Sequence, residues 1–197
     1  MDLWHRLTSS FRRRAPHLPP TGKIEIFSRH CIFSQISAHK KRFSGFTRAG
    51  CYRNLIETLD PERANLTFLL DTARGPKSSH FLRDEFRYPV IECREGSEAG
   101  SFLYLLDYVE KLDLDPGTIL YFVEDDYLHR PGWIDILLEG FQIESADYVT
   151  LYDHRDKYFL KMYANLQSKV MMTPSCHWRT IPSTTNTFAT RVSTLRR

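Results

Sequence analysis

No uninterrupted apolar run in the 197-residue chain exceeds five residues, Ile119–Val123 being one of that length. A membrane-spanning helix needs ~20, so none is expected. No two of the four cysteines (Cys31, Cys51, Cys93 and Cys176) form a CxxC pair, and no histidine stands at zinc spacing from a cysteine pair. That pattern excludes a small zinc module and predicts reduced, partly buried thiols in a cytoplasmic protein. The N-terminus lacks the roughly 7–15-residue apolar stretch of a secretion signal. Charge of one sign is also scarce: net charge is +3, with basic residues scattered except at the two ends. Without a clustered basic stripe, no nucleic-acid partner is expected. A Gly-rich phosphate loop is missing too.

Hydrophobic residues make up 42% and charged residues 26%, ordinary globular usage that excludes wholesale disorder. The length suits one domain, and a chain of this size buries roughly 70% of its unfolded surface without a disulfide or metal staple. Aromatics stand at 13%, enough for a thick core or a ring-lined cleft. Residues 1–22 read as a basic, Pro-rich tail containing Arg12-Arg13-Arg14 and Pro19-Pro20. Within it Leu3, Trp4, Leu7 and Phe11 fall at helical spacing beside basic residues, a pattern that suits either a solvated tail or a surface helix touching a membrane. Residues 23–197 then form one domain.

Along that domain, buried strands and helices alternate. Strands are predicted at Lys23–Phe27, Leu66–Leu70, Pro89–Cys93, Ile119–Val123 and Tyr148–Tyr152. Helices are predicted at Arg48–Leu59, in a short piece at Ser78–Phe86, at Ser97–Leu112 with Ser97 as N-cap and Phe102, Leu105, Leu106, Val109 and Leu112 at helical spacing, and in a further helix with Pro131 in its first turn. The expected fold is α/β: an open, mostly parallel sheet flanked by helices. After Asp153 only short strands and loops are expected.

Ligands of open α/β sheets sit outside the carboxyl ends of the strands. Three predicted strands end in acid: Asp71 follows the second, Glu124-Asp125-Asp126 the fourth and Asp153 the fifth. Single acids in such places serve as turn residues and caps. Three in a row repel one another unless a cation neutralises them, and oxygen-only ligands favour Mg²⁺ or Mn²⁺.

The segment Tyr121-Phe122-Val123-Glu124-Asp125-Asp126 resembles the DxD-type signature of GT-A-fold glycosyltransferases in a Glu-Asp-Asp form. Gly96-Ser97-Glu98-Ala99-Gly100-Ser101-Phe102, opening a helix after the third strand, adds to the likeness. The resemblance covers residues 23–153 and implies a Rossmann-like GT-A fold, a UDP- or GDP-sugar donor and Mn²⁺ or Mg²⁺ as cofactor. It places the metal on Asp126, with Glu124 and Asp125 near the ribose, the sugar or the metal's water shell. It places Asp71 at the nucleotide base and Ser28-Arg29-His30, read as a loop, against the nucleotide. Asp153 or Asp156 would match a base, with Asp125 the other catalytic candidate. Arg29 and Arg94 would add positive charge at the departing diphosphate.

Residues 154–197 are left for part of an acceptor side. His177-Trp178-Arg179 offers a ring for a sugar and a histidine for a metal shell, against the plainer reading of packing and hydrogen bonding. The acceptor, a glycan, lipid or protein hydroxyl, is not legible. Two other classes compete with a glycosyltransferase. One is a metal-dependent nucleotidyltransferase or nuclease. The other is a sugar-nucleotide-binding module without catalysis.

Overall fold

A computed structural model describes residues 23–34, 40 and 42–197. The expectations for the tail at 1–22 lie outside the described residues.

The core is a six-stranded sheet. β1 (Ile24–Cys31), β2 (Ala64–Asp71), β3 (Val90–Cys93) and β4 (Ile119–Glu124) run parallel, in the order β3-β2-β1-β4. Helix α1 (Arg48–Thr58) lies between β1 and β2, α2 (Glu98–Glu110) between β3 and β4, and α3 (Trp133–Gly140) after β4. β5 (Tyr148–Val149) is short. β6 (Val170–Met172) and β7 (His177–Arg179) pair in a separate antiparallel hairpin. β8 (Phe188–Arg191) then enters the main sheet between β4 and β5, antiparallel to both. The expected α/β architecture is present as a mixed, mostly parallel sheet. Near the end of the chain, β8 thus completes that sheet.

Strand alternation splits the interior in two. Ile26, Phe68, Leu70, Tyr121 and Val123 pack on one face against Leu55 of α1, its C-cap Leu59, and Trp133, Ile134 and Leu137 of α3. Phe27, Leu69, Leu120 and Phe122 pack on the other against Leu105 and Val109 of α2. The α2 register follows its predicted apolar spacing, and the Ser97 hydroxyl accepts the Gly100 N–H as the expected cap.

Four local expectations need correction. β1 does not stop at Phe27 but continues through Ser28-Arg29-His30, because β2 and β4 pair with it on both sides and its polar side chains find buried partners. The expected helix at 78–86 is two 3₁₀ turns, Lys77–Ser79 and Phe81–Asp84. Pro131 precedes α3 instead of sitting in its first turn; Gly132 (φ +79°) is the N-cap. The fifth strand ends at Val149, since only two of its residues pair with β8. Two short helices also follow, α4 (Asp156–Phe159) and α5 (Val192–Leu195), along with a 3₁₀ turn at Lys161–Tyr163.

Candidate functional site

The strand order reverses beside β1. The chain lays β2 and β3 on one side of it and returns to place β4 on the other. At such a switch point the loops leaving the two central strands part, and a crevice opens at their carboxyl ends. A cleft of about 230 Å³ lies there, lined by Arg29, Cys31, Asp71, Arg48 and all of Glu124, Asp125 and Asp126, with the start of α2 at its rim.

Alternation along the chain sends neighbouring acids of the triplet to different partners. Glu124 stands in register with Arg29, and Arg29 Nη2 donates to Glu124 Oε1 at 2.9 Å on the α2 side of the sheet. The same guanidinium donates through Nη1 to the Glu98 carbonyl at 2.6 Å and the Ser101 hydroxyl at 3.0 Å, tying β1 to the first turn of α2. Asp125 belongs to the α1 side, where Arg48 Nε stands 3.4 Å from Oδ1. Asp126, just past the strand, is held by Arg42 Nη2 at 2.6 Å. The like-charge repulsion expected of the triplet is therefore met, among the described residues, by three arginines drawn from β1, α1 and the loop between them.

Asp125 is the most perturbed acid. Burial pushes its pKa up to about 7, against the pull of Arg48. Its Oδ2 is buried without a hydrogen bond and faces His30 Nδ1, likewise unbonded, at 3.9 Å. Burial lowers the His30 pKa well below the usual value, so the imidazole is neutral and this contact is not an ion pair. His30 Nε2 is hydrogen-bonded to the Ser28 hydroxyl at 2.9 Å. Burial also raises the Glu124 pKa, partly offset by Arg29.

Asp71 is a bracket as well as a lining residue. Its Oδ1 accepts the Ala73 N–H at 2.9 Å and its Oδ2 the Gly96 N–H at 2.8 Å, joining the loops after β2 and β3. Gly96 sits at φ +68°, a backbone region that favours glycine.

The remaining sequence candidates do not gather here. Ser28 is buried in β1 and does not line the cleft. Arg94 is exposed beyond β3 and lies outside the lining. Asp153 lies four residues past the end of β5; Arg179 Nη2 is 2.5 Å from its Oδ1, and the Tyr158 hydroxyl donates to it. Asp156 lines a separate 160 Å³ hollow. His177 is exposed on β7, away from the cleft lining. Among the described residues no group of three His, Cys, Asp or Glu side chains is gathered to hold a metal.

The hydroxyl-rich run Pro182–Phe188 does reach the acids: Thr187 Oγ1 accepts the Glu124 N–H at 3.1 Å, and Thr185 Oγ1 is bonded to the Tyr127 hydroxyl at 3.0 Å. A second cavity of about 380 Å³ opens between α3, β5 and the β6–β7 hairpin, with Trp178, Met171 and Phe188 in its wall.

Sequence reasoning missed Arg42 and Arg48. Arg48 carried a signal: a cation in the first turn of a helix opposes the helix dipole unless an acid faces it, and α1 has no acid in that turn.

No protein-family model matches the chain, and no curated protein matches it.

Proposed function

We propose that this chain is a glycosyltransferase that moves a sugar from a UDP- or GDP-sugar to an acceptor hydroxyl. The observation that carries the reading is the placement of Glu124, Asp125 and Asp126 at the carboxyl end of β4, beside Arg29 and at the reversal of strand order. A donor diphosphate in this cleft would meet Arg48, Lys40 and Arg74, which also line it. Departure of a nucleoside diphosphate builds negative charge on phosphate oxygen, and these cations would stabilise it. Asp125, with a pKa near neutrality in the cleft, suits the removal of the acceptor hydroxyl's proton. Asp153, paired with Arg179 outside the cleft, suits it less.

For Mn²⁺ or Mg²⁺ the fit is one of ligand type: the carboxylates of Glu124, Asp125 and Asp126 line one cleft at the strand end, although Asp125 Oδ2 itself is buried toward His30. Asp126 would hold the ion in exchange for Arg42, and the ion would supply Lewis-acid stabilisation of the leaving phosphate.

One observation favours a second reading, a sugar-nucleotide-binding module without transfer: all three acids are already held by arginine. The test is a thermal-shift screen of UDP- and GDP-sugars with and without Mn²⁺, followed by assay of the stabilising donor for hydrolysis and for transfer to simple sugar, lipid and peptide acceptors. Stabilisation with turnover supports the transferase, stabilisation without turnover supports the module, and no shift with any donor contradicts both.

A further inference from the structure

Apolar side chains crowd the surface between β5 and β7. Tyr158, Phe159, Leu160, Met162, Val170 and Met172 are all exposed, Phe159, Met162 and Met172 by 72%, 76% and 77%. Scattered single exposures need no explanation, but a contiguous group marks an interaction surface. Arg179 joins Tyr158 to Val170, and Phe159, Leu160 and Met162 follow Tyr158 along the chain. Val170 pairs with Arg179 and Met172 with His177 across the hairpin, so all four share one hairpin face. The Arg179 guanidinium lies 4.6 Å from the centre of the Tyr158 ring, and Arg155 lies 5.4 Å from that of Phe159. The opposite hairpin face turns Met171 and Trp178 into the 380 Å³ cavity.

The same stretch concentrates charge. From Asp153 to Arg179 there are five Lys or Arg against the two acids Asp153 and Asp156, three positive charges in surplus, as many as the net +3 of the whole chain, and Asp153 is itself paired with Arg179. Lys161 and Lys169 are exposed beside the apolar group.

We propose that this face, from Arg155 to Arg179, docks on an anionic lipid bilayer. Exposed rings and aliphatic chains framed by cations match the boundary between acyl chains and acidic headgroups. Leu160, Met162, Val170 and Met172 have no π-face on which a nucleic-acid base would stack, which sets this surface apart from a single-stranded RNA platform. A second copy of the chain would bring the same positive surplus against itself. The inference concerns this face alone and does not depend on chemistry in the cleft.

The test is co-sedimentation of the full chain with vesicles of phosphatidylcholine alone or with about a third phosphatidylserine, a charge density that attracts basic surfaces. The expected result is binding to the anionic vesicles, weakened by salt. The triple variant Phe159→Ser, Met162→Ser, Met172→Ser and the double variant Lys161→Glu, Lys169→Glu should each reduce it on the order of tenfold. Because these side chains are exposed, the melting temperature should not move, which separates lost docking from lost folding. Equal binding to neutral and anionic vesicles would overturn the proposal, as would binding that both variants leave intact, which would assign it to the basic tail instead. It would also fail if the chain bound a single-stranded RNA probe but no vesicles, or if sedimentation velocity showed a dimer that the triple variant dissociates.

Discussion

Arg29 and Glu124 occupy paired register positions on adjacent parallel strands, and their side chains meet at 2.9 Å over the first turn of α2. One contact thereby joins β1, β4 and α2 at the place where the strand order reverses. Arg29 is 8% exposed, so removing either partner strands a charge in a poorly solvated place. Arg29→Met should cost about 3 kcal/mol of stability in urea unfolding. Glu124→Gln should cost less, since the Glu124 side chain is a quarter exposed and the amide oxygen still accepts from Arg29. An Arg29→Met protein of unchanged stability would show the contact to be incidental.

Asp71→Asn removes one of two charge-assisted acceptors. The Ala73 and Gly96 N–H groups then compete for a single amide oxygen, and the loss should be about 1–3 kcal/mol. Hydrogen exchange should locate it, with faster exchange at the Gly96 amide and little change at β8. Uniform acceleration across the sheet would argue against a local bracket.

His129 gives a pH signature. Its Nε2 is hydrogen-bonded to the Tyr121 hydroxyl at 2.9 Å, and burial lowers its pKa to about 4 from 6.5. The folded pKa lies below the unfolded one, so the stabilisation is complete above pH 6.5 and is lost as pH falls toward 4. Over that range the native protein should lose about 3 kcal/mol relative to His129→Gln. Asp125, with its pKa pushed the opposite way, tilts both proteins alike and cancels in the comparison. Parallel stability curves for the two proteins would refute the assignment.

Arg42 competes with any cation for Asp126. A partly exposed ion pair is worth up to about 1 kcal/mol, so Arg42→Ala should tighten Mn²⁺ binding about fivefold by calorimetric titration. Unchanged affinity would show that Asp126 does not ligate the ion.

Much of the fold was legible because local signals agreed. The periodic run of α2, the Ser97 cap and the apolar runs of β2 and β4 each point to one structure. β1 was cut short because Ser28, Arg29 and His30 look like loop residues until the sheet supplies Glu124, Ser101 and Asp125 around them. β8 was hidden within a Thr-rich stretch, and its antiparallel entry depends on pairing with residues about 70 positions earlier. For the site, the acids at the ends of β2 and β4 stood out, and they do converge. Their arginine partners did not, because Arg29–Glu124, Arg42–Asp126 and Arg48–Asp125 form only after the sheet is assembled. Asp153 is expected directly after a fifth strand reaching Tyr152, whereas β5 ends at Val149 and Asp153 pairs with Arg179.

The most direct test of the account is thermal shift of the full chain with UDP- and GDP-sugars in Mn²⁺, compared with Asp126→Ala. The account predicts a donor-dependent rise in melting temperature, several degrees at saturating ligand, that Asp126→Ala abolishes while the unliganded variant still melts cooperatively. A wild-type melting temperature that no nucleotide sugar changes would contradict it.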